Sequence, residues 1–227
     1  MRKLLLPLCA ACLILLTGFL SVTPMPPTDS MILVNKSHPL PSDYVPPDLR
    51  VVRVRFAEGV LPERKQMASE AAGALEALFT AAQEDGVTLY AVSGYRSYGT
   101  QSAIYKSRLE QTSLEYVSKY IAQPGQSEHQ TGLAMDLLDR DSRNLTEAFA
   151  DTEAYAWLCR RAWEFGFLIR YTREGERETG YAVEPWHVRY VGDAAGDIYR
   201  SGLTYEAWLA RRDSFAYARG RAPLIAR

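Results

Sequence analysis

Cysteine and histidine are both scarce in this 227-residue sequence, which contains three residues of each. Cys9 and Cys12 lie in an apolar N-terminal stretch, so only Cys159 remains in the body of the chain. The body therefore cannot form an internal disulfide. A domain of about 200 residues can bury enough apolar surface to fold without such crosslinks. Because histidine is so rare here, the residues around each histidine are informative about a possible functional site.

An excess of one charge is also missing. The chain has 26 Lys and Arg residues against 27 Asp and Glu residues, which gives a net charge of -1. The basic residues are scattered instead of forming runs, so the sequence lacks the basic field that nucleic-acid binding requires. A content of 47% hydrophobic and 23% charged residues is typical of an ordinary globular protein. We therefore expect one globular domain and no nucleic-acid partner.

The N-terminus has the pattern of an export signal. Arg2 and Lys3 precede an uncharged stretch from Leu4 to Leu20, which matches the basic and apolar regions of a signal peptide. No clean cleavage site follows, and seventeen residues are at the short end of what spans a bilayer. Residues 1–23 are thus predicted to be a signal peptide or a membrane anchor. The protein is expected outside the cytoplasm, secreted or anchored, with membrane contact only through this segment.

Proline is concentrated in the next part of the chain. Seven of the twelve prolines lie between Pro24 and Pro47, a composition that favours extended backbone over a packed helix. Residues 24–50 are therefore predicted to form a tether and a strap over the domain. The domain itself is assigned to residues 51–227.

The spacing of apolar residues predicts both helices and strands. Helices are expected from Pro62 to Gly86, over 98–121 and 152–164, and from Asp193 and Thr204 onward. Strands are expected over 87–92, 131–138, 167–171 and 180–190, with the polar residues 172–179 as a hairpin tip. Because helices and strands do not alternate regularly, this order favours an α+β fold with a small, mostly antiparallel sheet flanked by helices.

Two of the three histidines have unusual neighbours. His129 lies in Ser-Glu-His-Gln-Thr-Gly-Leu-Ala-Met-Asp, which ends at Asp136, and His187 lies in Glu-Pro-Trp-His. A zinc hydrolase uses about three imidazole and carboxylate ligands and leaves one position open. The predicted strand places Asp136 on one face with the small residues Gly132 and Ala134. We therefore expect His129, Asp136 and His187 to bind Zn²⁺, although His129 or Asp136 taken alone fits an ordinary loop or turn residue.

Glu184 lies three residues before His187, where a carboxylate can move protons for a metal-activated water. We predict that it is the catalytic base. The alternative is a surface ion pair with an arginine such as Arg189. The rigid Pro185 and the large Trp186 favour instead a wall of a substrate-binding site, in which Trp186 is a candidate substrate contact.

A third cluster is Ser-Gly-Tyr-Arg-Ser, residues 93–97, at the end of a predicted buried strand. Gly94 permits a tight turn there, and Arg96 would be presented at the sheet edge. An arginine can grip a carboxylate with two parallel hydrogen bonds, as a carboxypeptidase needs at the free end of its substrate. By itself, Arg96 would pass for an ordinary surface arginine.

These segments together resemble the VanY-like zinc D-alanyl-D-alanine carboxypeptidases, a family that shares its fold with lysostaphin-type peptidases and the hedgehog signalling domain. The resemblance rests on Ser-x-His-x-x-Gly-x-Ala-x-Asp at 127–136, Glu-x-Trp-His at 184–187 and Ser-Gly-Tyr-Arg-Ser at 93–97. It implies that His129, Asp136 and His187 bind zinc and that Glu184 is the base. It further implies that Arg96 and Ser127 hold the substrate carboxylate, with Gln101 as a further pocket residue.

The resemblance implies that the protein removes the C-terminal D-alanine from peptidoglycan stem peptides. The protein is expected to be a monomer. The same site also suits an L,D-carboxypeptidase that acts on tetrapeptide stems, or an endopeptidase. A zinc-stabilised module that binds peptidoglycan without cutting it is a more distant alternative. Glu184 argues against that module, because a binding protein has no use for a base beside an open metal position.

Overall fold

The computed structural model describes residues 28–218, with side chains described up to residue 214. The predicted leader, residues 1–23, lies outside this range and stays a prediction. Within residues 28–218, no helix combines the length and apolar character needed to cross a bilayer.

Short strands and helices succeed one another along the described chain. The strands are β1 Leu49–Val51, β2 Gln66–Ala68, β3 Leu89–Ser93, β4 Ala134–Asp139, β5 Phe167–Tyr171 and β6 Glu184–Tyr190. The α-helices are α1 Ser69–Glu84, α2 Tyr98–Gln111, α3 Leu114–Tyr120, α4 Glu153–Arg161, α5 Glu176–Thr179, α6 Ala195–Ser201 and α7 Tyr205–Ala218. Turns of 3₁₀ helix lie at Glu63–Lys65, Glu128–Thr131, Glu147–Asp151, Ala162–Phe165 and Gly192–Ala194.

Four of these strands form an antiparallel sheet in the order β3, β4, β6, β5. One face of the sheet packs against α1 and α4 in a single apolar core, to which Leu75, Leu89, Leu137, Leu158 and Val188 belong. A second, two-stranded sheet joins β1 to β2. The α+β prediction with a small antiparallel sheet is confirmed.

Strand β4 shows why only one face of the sheet is apolar. Successive side chains alternate between faces, and Met135 and Leu137 enter the core, whereas Asp136 lies on the opposite face. The strand begins at Ala134, three residues later than predicted, because residues 128–131 form a 3₁₀ turn that ends at Gly132. Gly132 has φ 68°, a left-handed conformation that glycine adopts without strain.

The helical region predicted over 98–121 is two helices instead of one. Ser97 caps α2 by accepting a hydrogen bond from the Thr100 amide, and Ser113 caps α3 through the Tyr116 amide. Thr112 between them has extended backbone, so the helix ends and restarts there. The hairpin of β5 and β6 is confirmed, but its polar tip contains the short helix α5.

Residues 28–48 lie across the domain without forming a helix or a multi-residue strand. The backbone carbonyls of Ser30 and Ile32 accept hydrogen bonds from Arg189 Nη2, at 3.1 and 2.7 Å. Pro41 accepts another from Gln130 Nε2 at 3.0 Å. The strand β1 crosses the predicted boundary between residues 50 and 51, so the strap is continuous with the first strand pair.

Candidate metal centre

The polar face of the sheet brings two of the predicted metal ligands together. Asp136 on β4 is paired directly with His187 on the neighbouring strand β6. Residues paired across antiparallel strands project to the same side, with their Cβ atoms about 5 Å apart. The register of two adjacent strands therefore places a carboxylate beside an imidazole, although 51 residues separate them in the sequence.

His129 reaches the same point from the 3₁₀ turn Glu128–Thr131. Its ring Nδ1 lies 2.7 Å from the Gly94 carbonyl oxygen, which can only accept a hydrogen bond. Nδ1 is therefore the protonated nitrogen, and Nε2 is free to bind a metal. Gly94 itself is required by space: a Cβ atom there would lie 2.4 Å from the Gln66 carbonyl oxygen. Gly94 is thus needed for this close packing and not for a tight turn with positive φ.

Three ligand atoms converge at this point, within 4.8 Å of one another. Asp136 Oδ1 lies 3.3 Å from His129 Nε2 and 3.2 Å from His187 Nδ1. This oxygen is buried and has no hydrogen bond of acceptable geometry. Two imidazole nitrogens and a carboxylate oxygen are one of the donor sets found in catalytic zinc sites. Within residues 28–214, no other group of three or more metal-binding side chains lies close together.

The two histidines have opposite pKa shifts. Burial and the nearby Arg96 lower the pKa of His129 to about 4. Burial also lowers the pKa of His187, but the nearby carboxylates of Asp136 and Glu128 outweigh it and raise that pKa to about 9. Asp136 has a pKa well below its usual range, because the two histidines outweigh the effect of burial. Shifts of this size in one cluster are typical of functional sites.

Glu184 begins β6, and its Oε2 lies 3.7 Å from His187 Nδ1. Its side chain is 17% exposed, so the carboxylate borders both the metal ligands and the cleft. Burial raises the pKa of Glu184 to about 7, while His187 opposes the shift. The alternative ion pair with Arg189 is wrong: Arg189 is fully buried and binds Glu128 instead.

The centre opens into a cleft of about 680 Å³, a volume within the usual range for small-ligand sites. All the sequence-predicted site residues line this cleft: Arg96, Gln101, Ser127, His129, Asp136, Glu184, Trp186 and His187. Arg96 Nη2 lies 3.4 Å from Ser127 Oγ, and Gln101 Nε2 donates to the Ala122 carbonyl at 2.7 Å. Trp186 is half-buried and also packs against the apolar core. A larger groove of about 920 Å³, beside α6 and α7, has none of these residues.

The structure adds residues that the sequence analysis missed. Arg64, Tyr171 and Tyr181 also line the cleft. Glu128, between Ser127 and His129 in the sequence, is fully buried against His187, Arg170 and Arg189. Burial alone would raise the pKa of Glu128, but the two arginines hold it well below the usual range. Arg189 was detectable in principle, because it is two residues from His187 and therefore shares its strand face.

Comparison with known proteins agrees with this geometry. Residues 64–193 match the model of the family described as "VanY: D-alanyl-D-alanine carboxypeptidase". The chain belongs to the VanY family. This VanY-family protein is 40% identical over 187 residues to the putative carboxypeptidase YodJ of Bacillus subtilis (strain 168). The aligned region covers 82% of this chain and 68% of YodJ.

Solved structures agree with the family and with the metal. The structure of the LdcB LD-carboxypeptidase is 42% identical with a TM-score of 0.74, and the match covers 78% of this chain and 84% of that one. A D,D-pentapeptidase VanY from a VanB-type resistance cassette, in complex with Zn(II), is 34% identical with a TM-score of 0.64. That match covers 79% of this chain and 98% of the other. The prediction of a zinc metallopeptidase of the D-Ala-D-Ala carboxypeptidase type is confirmed.

Proposed function

We propose that this protein removes the C-terminal D-alanine from peptidoglycan stem peptides, with His129, Asp136 and His187 as its zinc ligands. The observation that carries the proposal is the position of Glu184, 3.7 Å from His187 and at the border between the ligand atoms and the cleft. A carboxylate at this border is within reach of both a water molecule and a peptide. The membership of the VanY family supports the same activity.

The chain's own residues divide the chemistry between them. His129, Asp136 and His187 would hold Zn²⁺, which would act as a Lewis acid and lower the pKa of a water molecule. Glu184 accepts a proton from that water at its carboxylate and later delivers it to the amine of the departing D-alanine. A pKa of about 7 suits this exchange, because both the protonated and the ionised forms are then accessible near neutral pH.

Arg96 is proposed to bind the free carboxylate of the terminal residue, with Ser127 and Gln101 beside it. Arg96 Nε and Gln101 Oε1 are buried and have no hydrogen-bond partner, as is true of Nε of the neighbouring Arg64. A guanidinium whose donors lack partners can satisfy them with a carboxylate. Trp186 is proposed as a wall of the cleft that limits the position of the peptide.

The N-terminal segments fit this function. We propose that residues 1–23 export the protein and that residues 24–50 connect this leader to the catalytic domain at 51–227. Peptidoglycan lies outside the cytoplasm, and Arg2, Lys3 and the apolar stretch after them match an export signal. A monomer is proposed, because the three ligands, Glu184 and Arg96 all come from one chain.

Release of D-alanine from a tetrapeptide stem is the second candidate, because the LdcB LD-carboxypeptidase is 42% identical to this chain. Synthetic tetrapeptide and pentapeptide stems, each incubated with the protein with and without a chelator, would separate the candidates by mass spectrometry. Loss of one alanine from the pentapeptide alone supports the D,D activity. Loss from the tetrapeptide supports the L,D activity. A dipeptide product would indicate an endopeptidase, and no product with zinc present would contradict the proposal.

A further inference from the structure

The carboxylate of Glu128 faces His187 Nε2, the ring nitrogen opposite the one that faces Asp136, and Glu128 belongs to the lining of the cleft. Its Oε2 is 3.3 Å from His187 Nε2, while its Oε1 is 2.8 Å from Arg170 Nε and 2.9 Å from Arg189 Nη1. The side chains of Glu128, Arg170 and Arg189 have no solvent exposure. This carboxylate is therefore held in one orientation by three different side chains.

This contact determines how the two nitrogens of His187 are used. A carboxylate accepts hydrogen bonds, so the His187 nitrogen that faces it, Nε2, is the one that carries the proton. The other nitrogen, Nδ1, faces Asp136 and is the one that would bind a metal. His129 has the reverse arrangement, since its Nδ1 donates to the Gly94 carbonyl. The two histidines thus present different nitrogens to the same point, each selected by its own acceptor.

Segments outside the family match contact the two arginines that bind Glu128. Arg170 Nη2 donates to Glu206 Oε1 on α7 at 2.5 Å, and Asn35 Nδ2 donates to the same oxygen at 3.2 Å. Arg189 is held by the carbonyls of Ser30 and Ile32. The family match covers residues 64–193, so the strap and α7 both lie beyond it. Glu206 supplies a second negative charge to a group that contains two buried arginines.

We propose that Glu128 is a positioning residue that keeps His187 protonated at Nε2 and aimed at the metal through Nδ1. Glu206 of α7 supports it through Arg170. The inference rests on the proposed role of His187 as a zinc ligand. A histidine ligand that donates its second N–H to a carboxylate is held in both tautomer and ring orientation, and loss of such a partner weakens metal binding.

The variant Glu128→Gln tests the inference sharply. The two arginines are donors only, so they take the single amide oxygen and leave the amide NH₂ facing His187 Nε2. Nε2 must then accept, which moves the proton to Nδ1 and blocks the nitrogen that binds zinc. We expect the zinc dissociation constant, measured by competition with a chelator, to rise about 10–100-fold. Glu206→Gln should raise it less.

The matched control is Glu76→Gln, because the Glu76 carboxylate also binds an arginine, Arg50, at 2.7 Å, yet it takes no part in the metal centre. Its zinc affinity should equal that of the wild type. A thermal melt of each metal-free variant establishes that it is folded. Wild-type zinc affinity in folded Glu128→Gln would overturn the inference, whatever the melting temperature.

A second readout remains decisive if Glu128→Gln does not fold. The sequence has only three histidines, so long-range ¹H–¹⁵N spectra of the zinc-loaded wild type can report each ring separately. A proton on His187 Nε2 with the metal on Nδ1 supports the inference, and the reverse overturns it. These measurements need no substrate. Zinc binding without D-alanine release would contradict the proposed function while leaving this inference open to its own test.

Discussion

The two sides of the metal centre differ in how their buried charges are satisfied. The inner side consists of the buried Glu128 and the two arginines that pair with it, Arg170 and Arg189. Most polar atoms there have hydrogen-bond partners, with Arg170 Nη1 and Glu206 Oε2 as the exceptions among the described residues. On the cleft side, buried atoms of Arg64, Arg96 and Gln101 lack partners. An unsatisfied buried polar group costs about 1–3 kcal/mol. The cleft side therefore gives up stability for substrate binding, whereas on the inner side the charge of Glu128 is compensated and the removal of either arginine would be costly.

This comparison predicts that variants on the cleft side lose activity and that variants on the inner side lose stability. The largest effect is expected for Glu184→Gln, which keeps the shape of the side chain but cannot accept a proton. Turnover should fall about 10²–10⁴-fold while zinc content is retained. D-alanine release and metal analysis measure the two quantities. Glu174→Gln, at an exposed position, is the control. Near wild-type turnover in Glu184→Gln would remove this residue from the mechanism.

On the inner side, Arg189→Met should have the next largest effect. It leaves the buried Glu128 carboxylate with one of its two arginines, and breaking a buried ion pair costs about 3–5 kcal/mol. Urea unfolding of the metal-free protein measures this loss. The control is Arg200→Met, which removes an exposed pair with Asp197 and should cost no more than about 1 kcal/mol. Equal losses in the two variants would contradict the distinction between the two sides.

A smaller effect is expected for Arg96→Ala on the cleft side. Removing a charge-assisted hydrogen bond to the substrate carboxylate should lower kcat/KM about 10–100-fold. The melting temperature should not fall, because among the described residues the only side-chain hydrogen bond of Arg96 is a long one to Ser127. Paired substrates with free and amidated C-termini measure the selectivity, with the exposed Arg143→Ala as control. An unchanged preference for the free carboxylate would show that Arg96 does not bind this group of the substrate.

The smallest effect is expected for Gln101→Ala. Gln101 Oε1 is buried, has no partner among the described residues and can only accept a hydrogen bond, so it would pair with an N–H of the substrate; a neutral hydrogen bond contributes about 0.5–1.5 kcal/mol. This corresponds to a decrease in kcat/KM of about 2–10-fold. A thermal melt separates this effect from the loss of the bond to Ala122. If kcat/KM does not change, Gln101 has a role in folding alone.

Much of the fold followed from local patterns. The alternation along β4 and the hairpin of β5 and β6 are properties of short segments, so they could be predicted. The break at Thr112 was missed because the apolar spacing continues across it, and only the cap at Ser113 marks the restart. The 3₁₀ turn at 128–131 was missed for a related reason: it is stabilised by a contact with a distant segment, the bond from His129 to Gly94.

From the sequence by itself, the donor set of the proposed metal centre could be predicted, because a zinc site is limited by chemical type and three histidines leave few choices. It also marked Glu184 and Arg96 as candidates. Only the tertiary structure decided which nitrogen of each histidine faces Asp136, and that Arg189 is buried instead of exposed. The physical reason is distance along the chain: Glu128 contacts Arg170, His187 and Arg189 across 42, 59 and 61 residues. Such contacts exist only after strand register has brought the segments together.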